Sequence, residues 1–165
     1  MPGLFTEDTY EHAIIELFEN MGYTHLYAPD LDRDYSSPFL DTALRDSMVR
    51  INRSLPVEAV NEAISKLRNL DAGSLLQKNI IFMDYLQNGI TVKLFIKGEE
   101  RSSIVHLIDY GKAKNNTFYV VNQFTFLENG NNRRPDIIIF INGLPLVLME
   151  LKSPSKDEAD VENAY

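Results

Sequence analysis

The sequence predicts a mixed α/β domain of the α+β kind, and three observations carry that prediction. Apolar residues recur at helical spacing as far as Asn88-Gly89, and from Ile90 onward the period changes to alternation. Two apolar runs, 137–141 and 144–149, then flank Asn142-Gly143, a strong hairpin signal. With 165 residues there is room for one domain, 1–165, expected to divide into a helical part (1–89) and a sheet part (90–165).

In chain order, Thr6 is the expected N-cap of a first helix, with Glu7 and Asp8 in the first turn where they suit the helix dipole. Tyr10, Ile14, Leu17, Phe18 and Met21 follow at helical spacing, and Gly22 is a natural stop. A polar loop, 29–36, leads to Ser37-Pro38, read as N-cap and N1 of a second helix whose apolar face is Leu40, Leu44, Met48, Ile51 and Leu55. Pro56 precedes a third helix with Val57, Val60, Ile64, Leu67 and Leu70. A fourth is expected over 75–86, after Asp71-Ala72-Gly73-Ser74. Strands are predicted over 91–97 and 104–109 about a turn at 98–100, then over one long run, 118–126. The loop 128–134 opens onto strand 136–141, and 146–152 returns. Ser155 and Glu158 resemble a capping box. The chain ends one or two turns into the helix it would open, and so reads as the N-terminal piece of something longer.

Composition narrows the classes. The chain is 24% charged and 44% apolar, with no cysteine, which excludes a disulfide framework and thiolate metal sites. No apolar run approaches a membrane span and no signal peptide opens the chain, so a cytoplasmic protein without a membrane partner is expected. The formal charge of -8 argues mildly against nucleic acid. The charge is uneven, however: Lys112, Lys114, Arg133, Arg134, Lys152 and Lys156 lie in the C-terminal stretch. Local charge outweighs net charge within a screening length of about 8–10 Å.

That stretch holds Asp136 and, thirteen residues further, Glu150-Leu151-Lys152. Acids and a lysine bordering apolar strands are costly to bury unless paired or bound to metal. Magnesium takes hard oxygen ligands, usually one or two carboxylates with water and phosphate. Lys152, two residues from Glu150, shares its strand face and can orient a water or offset phosphate charge. This describes a metal-dependent phosphodiesterase site. The competing reading has Asp136 ending a strand and Glu150 with Lys152 as an exposed pair. Arg133-Arg134 fits phosphate contacts on one reading and, somewhat better, a solvated turn on the other. Glu11 can reach a metal through water or be a surface acid, with Glu7 and Glu16 as rivals. His12, His25 and His106 lack metal-ligand spacing and read as structural.

The hairpin sets a constraint. With a strict two-residue loop, Ile141 faces Leu144, Asp136 faces Met149, and Glu150 lies on the opposite side of the sheet. Two ligands of one metal require a shift of one residue, through a three-residue loop or a bulge in one strand.

Asn122-Gln123-Phe124, Asn132-Arg133-Arg134-Pro135-Asp136-Ile137, Asn142-Gly143-Leu144-Pro145-Leu146-Val147 and Glu150-Leu151-Lys152 closely resemble the N-terminal nuclease domain of type I restriction enzyme R (motor) subunits. Glu7, Glu11 and Met21-Gly22-Tyr23 resemble that family's opening helix, and Leu44-Arg45, Ile51-Asn52 and Leu55-Pro56 its helical insertion. The resemblance implies the PD-(D/E)xK nuclease superfamily: a restriction-endonuclease-like mixed sheet with flanking helices, here with the C-terminal part of the core missing. It implies Asp136, Glu150, Lys152 and Glu11 as catalytic residues. Asp136, Glu150 and the Leu151 carbonyl would be Mg²⁺ ligands, and Arg133, Arg134 and Lys156 phosphate contacts. It implies double-stranded DNA as substrate, ATP-driven translocation by downstream domains, and modification and specificity subunits as partners. The alternatives are a non-catalytic DNA-binding or assembly module of the same fold, and an autonomous PD-(D/E)xK repair nuclease.

Overall fold

A computed structural model describes residues 6–96, 98–128 and 130–152. Among them are four α-helices: α1 (Glu7–Asn20), α2 (Asp41–Ile51), α3 (Val57–Arg68) and α4 (Leu75–Asn88). The strands are β1 (Thr24–Tyr27), β2 (Ile90–Ile96), β3 (Glu99–Val105), β4 (Phe118–Asn122), β5 (Phe126–Glu128), β6 (Asn131–Arg133), β7 (Ile137–Ile141) and β8 (Leu144–Met149). A four-stranded mixed sheet runs in the order β1-β4-β7-β8, and two ribbons pair β2 with β3 and β5 with β6. The α/β class is as expected. Among the described residues no helix is long and apolar enough to cross a membrane.

The chain forms two compact units, and they do not divide at residue 90. Residues 6–39, 118–140 and 144–152 belong to the first; 40–117, with the turn 141–143, form the second. The span read as purely helical therefore contributes α1 and a strand, β1, to the first unit. Strand β1 is only four residues long and is half exposed, so no alternation announces it. What makes it a strand is a non-local partner: Thr24 to Tyr27 run parallel to Tyr119 to Asn122 of β4.

In the first unit α1 opens as expected, the Thr6 hydroxyl accepting from Thr9 N at 3.3 Å. Its apolar side packs on the sheet, where Ile15, Val120, Ile137 and Ile139 form a buried cluster joined by Phe18, Tyr23, Met149 and Leu151. The long run expected over 118–126 is broken at Gln123, whose φ is +57°. Beyond it, Phe124 is fully buried against Phe140, with ring centroids 5.1 Å apart. The Arg33 guanidinium lies 3.7 Å from the Phe124 ring centroid and 4.5 Å from that of Tyr35, and its Nη2 donates to the Thr125 carbonyl. Burial pushes its pKa down, against the opposing pull of Tyr35 and Asp34, while the two rings supply the cation–π attraction that holds it there.

In the second unit α3 packs on β2, β3 and α2. Leu44, Met48, Val60, Leu67, Ile90, Val92, Val105 and Leu107 are at most 2% exposed and make its core. Helix α2 starts at Asp41, not at Pro38: the Ser37 hydroxyl accepts from Phe39 N instead of capping a helix. Helix α4 carries a full capping box, Ser74 with Gln77, and stops at Gly89 (φ +80°). Strand β3 begins at Glu99, five residues before the expected position, because the antiparallel register pairs Ile96 with Glu99 and Ile90 with Val105.

Candidate functional site

The site grows from where three segments of the first unit end. Strand β4 finishes at Asn122, and the left-handed backbone of Gln123 turns the chain so that Gln123 N donates to the Asp136 carbonyl at 3.2 Å. A glutamine adopts that conformation at a cost. What it gains is position. Asn122 Nδ2 donates to Glu11 Oε1 at 2.6 Å, and Gln123 Nε2 donates to Glu11 Oε2 at 3.0 Å. Two neighbouring amides thus hold both oxygens of one carboxylate on α1. Asn122 Oδ1 in turn bonds His25 Nε2 at 2.9 Å, tying β1 into the same chain of contacts.

Asp136 stands just before β7, and its Oδ2 accepts from the Leu151 backbone N–H at 2.6 Å. One carboxylate therefore fixes the Glu150-Leu151-Lys152 segment beside it. Hydrogen bonds from backbone donors to an ionised carboxylate are short and strong, as this one is.

Of the two routes by which the hairpin's register could shift, the turn excludes the three-residue loop. Asn142 (φ +53°) and Gly143 (φ +80°) are both left-handed, which is a two-residue type I′ turn and not a three-residue loop. Unbroken pairing from Ile141 and Leu144 would set Leu148 beside Ile137. Instead Met149 and Leu151 pack with Ile137 and Ile139. Val147 and Leu148, though adjacent, are both about half exposed, so the alternation breaks there as a bulge would break it.

An open cleft of about 530 Å³ is lined by Glu7, Asp8, Glu11, His12, His25, Tyr27, Asn122, Gln123 and Asp136. Of the first-helix acids weighed from sequence, Glu7 and Glu11 line it and Glu16 does not; Glu11 is the one that β4 grips. Glu150 and Lys152 are exposed and stand outside this lining, as do Arg133 and Arg134 on β6 and the following loop. Lys156 and the expected Ser155–Glu158 capping box lie outside the described residues. Among the described residues no three acids or histidines converge closely enough to form a metal cluster by themselves. The donors nevertheless suit a hard cation: Asp136 and Glu11 line one cleft that, among the described residues, no lysine or arginine lines.

Asn122 and Gln123 are residues whose roles sequence reasoning left unassigned, and His25, read as structural, bonds Asn122. The adjacent pair of amides inside the apolar run 118–126 was the available signal for these two. His12 is the lining residue with a displaced pKa: a bond to the Asp8 carbonyl at 2.7 Å, then the Asp8 carboxylate, raise it above the ordinary histidine value. A raised folded pKa stabilises the protein below the unfolded value and is lost as pH rises through the folded one. An NMR titration is expected to place the His12 midpoint above those of free peptides, and Asp8→Asn to lower it. An unmoved midpoint in that variant would show that the carboxylate contributes nothing.

Comparison with known proteins adds to this geometry. The family described as type I restriction enzyme R protein N terminus matches residues 4–165. The type I restriction enzyme HindI endonuclease subunit of Haemophilus influenzae is 32% identical over 171 residues, covering 98% of this chain and 16% of that protein. The putative type I restriction enzyme MjaIXP endonuclease subunit of Methanocaldococcus jannaschii is 31% identical over 157 residues, covering 90% of this chain and 15% of that protein. The chain thus spans about one sixth of the length of these relatives.

Proposed function

This chain belongs to the family of type I restriction enzyme R protein N termini, and from that premise we propose that it is the DNA-cutting domain of an R (motor) subunit. The proposed reaction is Mg²⁺-dependent hydrolysis of phosphodiester bonds in unmodified double-stranded DNA, after ATP-driven translocation by domains further along the polypeptide. The partners are modification and specificity subunits, in the cytoplasm. The observation that carries the reading is the 2.6 Å bond from Leu151 N to Asp136, which joins the two halves of the acid–acid–lysine pattern at one point.

Asp136, Glu150 and the Leu151 carbonyl would hold the Mg²⁺. When bound, the ion polarises a phosphoryl oxygen and favours hydroxide over water. The other tasks fall to the chain itself. Lys152 orients the attacking water and offsets charge building on the phosphate. Asn122 and Gln123 hold Glu11 so that it can bind the ion's water. Arg133, Arg134 and Lys156 contact flanking phosphates, which gives position without sequence. Because Glu150 and Lys152 are exposed and outside the cleft lining, a second reading, a non-catalytic module of the same fold, makes a distinct prediction.

The test is DNA cutting by the full-length subunit in its assembled complex, with ATP and Mg²⁺. Lys152→Ala is expected to lower cutting by at least about 10²-fold, the usual size of a lost electrostatic stabiliser, with ATP hydrolysis retained. EDTA, added once translocation has delivered the complex, is expected to stop cutting. Undiminished cutting by Lys152→Ala would favour the non-catalytic reading.

A further inference from the structure

A second cleft, of about 540 Å³, lies wholly within the second unit, between the end of α2 and the loop 109–115. Its lining includes four cations, Arg50, Arg53, Lys112 and Lys114, and one carboxylate, Asp109. Among the described residues none of these four cations forms an ion pair. We propose that this cleft is a phosphate-binding site for duplex DNA, built from residues none of which lines the acidic cleft. The proposal rests on the reading that the protein acts on DNA, and extends it to a contact surface on the other unit.

Asp109, its pKa lowered first by the bond from Asn115 and further by the charge of Lys112, offsets part of this positive charge, and the four cations still outnumber it. Its Oδ1 accepts from Gly111 N (3.0 Å) and Lys112 N (2.9 Å), and its Oδ2 from Asn115 Nδ2 (2.7 Å). The loop is rigidly held. Asn116 bonds both backbone groups of Asp109 at 2.9 Å, and the buried Asn142 amide donates to Asn116 Oδ1 at 2.8 Å. Arg50 ties the helix to this loop, its Nε donating to the Asn115 carbonyl (3.0 Å) and its Nη2 to Ser47 Oγ (3.1 Å). Arg50 is therefore scaffold, while Arg53, Lys112 and Lys114 are exposed and presented on a fixed frame.

The bland account, cations offsetting the negative end of a helix dipole, covers Arg50 and Arg53 at the end of α2. It leaves Lys112 and Lys114 unexplained. Four cations around one carboxylate leave the cleft with an excess of positive charge, which attracts a polyanion. Among the described residues the cleft lining has no aromatic ring to stack a base, so repeated phosphates suit it better than a nucleotide does.

The test is equilibrium binding of a short fluorescent duplex of arbitrary sequence by the full-length subunit, in EDTA, with salt varied. Removing three phosphate contacts, as Arg53→Ala/Lys112→Ala/Lys114→Ala, is expected to make the log-affinity against log-salt slope shallower by about 2–3. Affinity at low salt is expected to drop at least tenfold, and Lys112→Arg/Lys114→Arg to bind like wild type. An unchanged slope overturns the proposal. So does an equal change from Lys66→Ala/Lys78→Ala/Lys93→Ala, which would reflect overall charge alone. Competition by inorganic triphosphate with no effect of the triple variant on duplex binding would assign the site to free phosphates. The two readings fail separately: weakened binding by the triple variant with full cutting by Asp136→Ala rejects only the acidic site, and the reverse pair rejects only this one.

Discussion

Asp136→Ala is expected to abolish DNA cutting by the assembled complex while ATP hydrolysis and DNA binding continue. Two losses combine in that substitution. The proposed Mg²⁺ site loses its most central carboxylate, and Lewis-acid assistance is worth several kcal/mol of transition-state stabilisation. At 1.36 kcal/mol per tenfold, the cutting rate should fall by about 10³-fold or more. The second loss is positional, because Leu151 N no longer has its acceptor and the Glu150–Lys152 segment is released. Asp136→Asn separates the two. An amide oxygen can still accept from Leu151 N, so the segment stays tethered, but the charge that draws a cation is gone. Loss of cutting in both variants assigns Asp136 a ligand's role. Normal cutting by Asp136→Asn alone would reduce it to a tether, and normal cutting by both would remove the site assignment.

How far the sequence could announce this arrangement depends on which contacts were local. Helices α1, α3 and α4 were legible because their caps and apolar spacing sit within a few residues of one another, as Thr6 with Thr9 and Ser74 with Gln77 show. The hairpin was legible from Asn142-Gly143 for the same reason. Strand β1 was not, since it is a strand only through pairing with residues nearly a hundred positions away. The early start of β3 is similar: Glu99 to Ser103 have poor strand character and are recruited by β2. At the site, Asp136, Glu150 and Lys152 could be singled out because charged residues beside apolar runs demand a reason. The grip of Asn122 and Gln123 on Glu11 could not. It depends on a left-handed glutamine and on an α1–β4 contact spanning more than a hundred residues. Asn142 and Gly143 leave a strand bulge as the route by which the hairpin's register could shift. Turn type follows from two residues, whereas the parity at Met149 follows from packing against Ile15 and Val120.

Gly143→Ala is expected to be the most destabilising single methyl that can be added to the hairpin. Two independent penalties meet there. The φ of +80° lies where a side chain costs about 1–2 kcal/mol. A Cβ would also come within 2.5 Å of Leu44 N, 2.6 Å of the Leu40 carbonyl and 2.9 Å of Leu44 Cα. These are backbone atoms, held because Gly143 O accepts from Leu40 N and Leu40 O accepts from Leu44 N at the start of α2. They cannot swing aside like a side chain, so an overpacking cost of about 1–3 kcal/mol adds to the first. A total of roughly 2–5 kcal/mol should lower the urea midpoint strongly at unchanged slope. Asn142→Gly is the companion variant. It keeps the left-handed turn but removes the amide that bonds the Leu107 carbonyl, Asn116 Oδ1 and Thr117 N. If Gly143→Ala costs under about 1 kcal/mol, the turn must be free to move off α2. Destabilisation by both variants would mean that turn conformation and buried amide bonding each hold the hairpin's end against the second unit's core.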